Sequence, residues 1–67
     1  MSLFEDKVAA YACMEAAWMF LSGKTVGVRV ITPPIQAALD VFEAGGSRDE
    51  AEAAALRYIQ DHPPKET

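Results

Sequence analysis

Apolar residues recur along this chain with three different rhythms, and each predicts an element. "AAYACMEAAWMFL", residues 9–21, carries one charge, Glu15. From Leu3 to Ser22 the chain has neither Pro nor Gly and is rich in Ala, which favours helix. Ser2 and Glu5 have the spacing of a capping box, and Glu5 and Asp6 suit the positive end of a helix dipole. Ser22-Gly23 supplies the stop, so the pattern predicts a first helix over 3–22. At 100° per residue, Phe4, Val8, Tyr11, Trp18 and Met19 fall on one side. Leu3, Ala10, Met14 and Leu21 cover the adjoining side, and Phe20 points away from both. A helix apolar nearly all round needs cover on several sides, and two further short helices cannot surround it.

"KTVGVRVIT", Lys24 to Thr32, changes rhythm. Val26, Val28 and Val30 alternate with Gly27, Arg29 and Ile31, the period of a strand. One strand alone has two unpaired edges, and pairing with the same strand of a second copy satisfies it. Thr32 is the expected N-cap of a second helix, with Pro33 and Pro34 in its first turn. Ile35, Ala38, Leu39 and Phe42 then follow at helical spacing until Gly45-Gly46. Ser47-Arg48-Asp49-Glu50 reads as a capping box opening a third helix that runs to about Gln60. Its expected inner residues are Ala51, Ala55, Leu56 and Ile59, with Tyr58 at the margin and an Arg48–Glu52 pair on the surface. The expected organisation is one small helical domain over 1–61 and a flexible tail over 62–67, "HPPKET".

Size sharpens the question of what covers the first helix. A lone core in a chain of 67 residues is marginal. Cys13 is the only cysteine, so no internal disulfide forms, and His62 is the only histidine. No metal or cofactor is expected, because no Cys/His spacing suits zinc. A second copy is therefore the expected source of stability. The apolar run Val8–Leu21 is shorter than the roughly 20 residues of a membrane span and no basic segment precedes it, so a cytoplasmic protein with no membrane partner is expected.

Residues 26–60 resemble the ribbon–helix–helix family. "VRVITPPIQAALDVFEAGGSRDEAEAAALRYI" carries a short strand, a Pro-led helix, a Gly-containing turn and a helix opening at Ser, in that order. The resemblance implies an obligate dimer whose two strands pair antiparallel and, in DNA-binding members, enter the major groove. Gly27, Arg29 and Ile31 would then face bases, and the backbone around Ser47 and Arg48 would meet phosphate. Lys24 and Arg29 make the strand the one positive segment of a chain whose formal net charge is −4. That net charge disfavours nucleic acid as a partner, because affinity for duplex DNA rests mainly on phosphate neutralisation.

The fold class expected from these readings is mainly α: helix, short strand, helix, helix, in an intertwined homodimer with a two-stranded antiparallel ribbon. Tyr11, Met14, Trp18, Met19 and Phe20 are the candidate partner or dimer interface, since aromatic side chains dominate such contacts. Lys24, Arg29, Ser47 and Arg48 are the candidate ribbon or DNA contacts. No nucleophile–base pair and no phosphate loop is present, so an enzyme is not expected. The leading expectation is a small protein-interaction module, an adaptor, inhibitor or regulator of a larger protein that acts as a homodimer. The alternative is a ribbon–helix–helix DNA-binding regulator.

Overall fold

The computed structural model of the chain describes residues 3–23 and 31–62. They form three helices, α1 (Leu3–Leu21), α2 (Pro33–Glu43) and α3 (Arg48–Asp61), and each packs against the other two. Residues 24–30 of the expected strand segment, with Lys24 and Arg29, lie outside the described residues, as do residues 1–2 and 63–67.

Each helix stops and starts where its local chemistry demands. Gly23 ends α1 with φ at +77°, and the Ser22 N–H donates back to the Trp18 carbonyl at 2.9 Å. Thr32 occupies the N-cap of α2 in an extended conformation, yet its side chain makes no capping bond. Pro33 and Pro34 follow it and have no N–H to offer, so the cap is a backbone one, with the Gln36 N–H donating to the Thr32 carbonyl at 2.8 Å. The end of α2 is a Schellman turn. Gly45 takes φ +90°, its N–H donates to Phe42 at 3.0 Å, and the Gly46 N–H reaches the Val41 carbonyl at 2.8 Å. The Ser47 capping box of α3 is complete: Ser47 Oγ accepts from the Glu50 N–H at 3.2 Å, and Glu50 Oε1 accepts from the Ser47 N–H at 2.8 Å. His62 closes α3 as its C-cap, its N–H donating to the Tyr58 carbonyl and its ring stacked on Tyr58 at 4.1 Å.

The core is small and made largely of alanine. Its buried residues are Ala10, Met14 and Ala17 of α1, Ala38, Leu39 and Phe42 of α2, and Ala51 and Ala55 of α3. Ile35, Leu56 and Ile59 pack on its margin, so the stripes expected on α2 and α3 are those that point inward. Methyl side chains on all three helices let the backbones approach closely. The molecule is correspondingly thin, 35 × 26 × 16 Å. Sixteen ångströms is the depth of two helix layers at the usual 8–10 Å axial separation. Among the described residues no helix is long and apolar enough to cross a membrane.

Candidate functional site

The two apolar sides of α1 have opposite fates. The middle of one side, Ala10, Met14 and Ala17, is buried against α2 and α3, while Leu3 and Leu21 at its ends are exposed. The side with large residues faces out. Phe4 is 75% exposed, Val8 54%, Tyr11 50%, Trp18 40% and Met19 36%. Their positions, with Glu15 between, climb the helix in steps of four and three, so they form one continuous row. Single exposed apolar side chains are ordinary in folded proteins, but a contiguous row of this kind marks a contact surface.

Of the five interface candidates, the structure brings Tyr11, Trp18 and Met19 together on this row. Met14 is elsewhere: at 2% exposure it belongs to the chain's own core. Phe20 is half-buried and packs on the core margin beside Cys13, rather than pointing away from both sides. The reason is the same for both. Close approach by the alanine-lined hairpin of α2 and α3 covers the side of α1 between Cys13 and Met14, and the long side chains at 14 and 20 fill the edges of that contact.

One polar group is built into the row, and only one of its members was anticipated as a contact. Glu15 sits between Tyr11 and Trp18 along the helix, and its Oε2 forms an ion pair with Arg48 Nη2 from the start of α3. The Arg48 guanidinium carbon also lies 5.5 Å from the centre of the Trp18 ring, within cation–π range. Phe42 of α2 meets the same indole edge-on, centroids 5.3 Å apart. Trp18 is therefore held by side chains from two other helices while two-fifths of it still meets solvent. The expected Arg48–Glu52 pair is not formed; Arg48 pairs instead with Glu15 and lies over the Trp18 ring. The signal for Glu15 was present in the sequence as the lone charge of residues 9–21, which calls for a cation.

No family model matches the chain, and no curated protein and no solved structure matches it.

The remaining candidates at the start of α3 have a distinct environment. The Ser47 amide is taken by the Glu50 carboxylate, and Asp49 and Glu50 both stand in the first turn. A phosphate approaching there meets two carboxylates, and the nearest guanidinium is engaged with Glu15. Cys13 is half-buried, and burial pushes its thiol up from the ordinary value, so the less nucleophilic protonated form prevails.

Proposed function

We propose that this protein is a small protein–protein interaction module, an adaptor, inhibitor or regulator that works by binding another polypeptide and acts as a homodimer. One observation carries the reading: Phe4, Val8, Tyr11, Trp18 and Met19 of α1 lie outside, while Ala10, Met14 and Ala17 form its share of the core. Leaving such a row in water is unfavourable by about 25 cal/mol for each Å² of apolar surface, and covering it is the gain that drives association. The Glu15–Arg48 pair supports the same reading, because a carboxylate within a surface meant for burial is already neutralised from its own chain. The acidic side chains Asp40, Glu43, Asp49, Glu50 and Asp61 are exposed on α2 and α3 and give a second surface suited to a basic partner. The DNA-binding alternative draws no support from the start of α3, where carboxylates occupy the place of a phosphate contact.

The test is photo-crosslinking in producing cells, with a photoreactive amino acid at Tyr11 on the row and, separately, at Asp40 on the acidic side. Defined adducts to a polypeptide are expected from at least one position. The absence of any adduct from both would refute the reading.

A further inference from the structure

Resting on that reading and deepening it, we infer that the row on α1 is covered by a second copy of this chain, the two α1 helices packing antiparallel about a two-fold axis close to Tyr11. Three observations converge on this occupant. The first is symmetry of spacing. Phe4 and Trp18 each lie seven residues from Tyr11, two helical turns to either side on the same face. A two-fold contact requires a surface complementary to itself, with position i meeting j and j meeting i. Rotation about Tyr11 sets the Phe4 ring of each copy opposite Trp18 of the other and leaves the tyrosines facing across the axis.

The second is charge. Lys7 flanks the row in its first half and is exposed, with no ion pair among the described residues. Glu15 stands in its second half, offering the oxygen that Arg48 does not take. Both lie four residues from Tyr11, so the antiparallel arrangement places Lys7 of each copy beside Glu15 of the other. A parallel arrangement would instead set lysine against lysine and carboxylate against carboxylate, a repulsion of like charges.

The third is area. At about 200 Å² per large side chain, the exposed fractions of the five row residues amount to roughly 500 Å² per copy. Two copies would bury about 1,000 Å² through these side chains alone, the lower threshold of a biological interface. A foreign partner would need the area; it would need neither the mirrored spacing nor the mirrored charges.

Sedimentation equilibrium of the purified 67-residue chain tests the inference. A reversible dimer is expected at micromolar concentration. Val8→Glu and Phe4→Ser change side chains outside the core, so each should retain the helical circular dichroism of the parent and weaken the dimer at least about 30-fold, the scale of an interface hot spot. Orientation is read by disulfide trapping in a Cys13→Ala background. Phe4→Cys mixed with Trp18→Cys should give a mixed disulfide, while Phe4→Cys alone should give none. Self-trapping of Phe4→Cys, without the mixed product, would overturn the antiparallel arrangement. A folded monomer at 100-fold the expected dissociation concentration would overturn the dimer. The interaction reading itself would survive that result if the Tyr11 probe still gave adducts to other proteins in cells, and would fall with it if neither probe position gave any.

Discussion

At the scale of single residues, Trp18 and Cys13 show how environment sets what a side chain does. Trp18 is braced by Phe42 on its edge and by Arg48 against its ring, so the exposed part of the indole is presented in a fixed pose. A side chain already immobilised loses less entropy when it is covered, which favours binding. Arg48→Ala removes the Glu15 pair and the cation at the indole together. Both partners of the pair are partly exposed, so the expected cost is modest, about 1 kcal/mol in urea unfolding, with a red-shifted Trp18 emission. Coupling with Glu15→Gln should account for part of it in a double-mutant cycle. Cys13 gives a pH dependence of known sign. Its thiol is raised in the folded chain by burial, so the unfolded chain releases the proton first as pH increases. The contribution is fully present below the ordinary thiol value and is lost as pH rises through the raised one. Unfolding free energies of the parent should fall relative to Cys13→Ala across that alkaline window, and the difference between the two should be flat below it.

At the scale of elements, each helix is fixed by its ends and differs in how clearly its inward side is written. The turn between α2 and α3 illustrates the ends. Gly46 packs so closely on Val41 that an added methyl would overlap Val41 Cγ1 and press on its carbonyl oxygen. Gly46→Ala is therefore expected to destabilise by about 1–3 kcal/mol, as overpacking does, measured by thermal or urea unfolding. The end of α1, both limits of α2 and the start of α3 are legible in the sequence because caps are local: Gly23, Pro33, Gly45-Gly46 and the Ser47–Glu50 box act within a turn of themselves. The inward stripes of α2 and α3 were legible too, since a polar side opposes each apolar one. On α1 that contrast is missing. Both sides are apolar, and hydrophobicity alone gives no means to choose between alanines and rings. Fit to the alanines of α2 and α3 makes the choice, and it is a property of three helices at once. For the same reason the helical spacing sets Met14 and Phe20 on different sides from Tyr11 and Trp18 without telling which side is inward, and the partner of Arg48 lies 33 residues away, beyond the reach of local spacing. The candidate surface was thus readable in its members and unreadable in its orientation.

At the scale of the whole molecule, the alanine core described above inverts the usual map of mutational tolerance. In most domains bulky interior side chains are the vulnerable ones, and surface positions accept almost anything. Here five of the eight buried residues among those described are alanine, and each already has no exposed surface to spare. Enlarging one wedges helices apart: Ala17→Leu should cost about 1–3 kcal/mol of single-copy stability, measured in dilute solution, whereas Val8→Ser under the same conditions should stay within about 0.5 kcal/mol. A saturation screen scored for folding alone would therefore find its most intolerant sites at single methyl groups. The same screen scored for assembly would find them at the aromatic rings, so the two lists of essential positions would scarcely overlap.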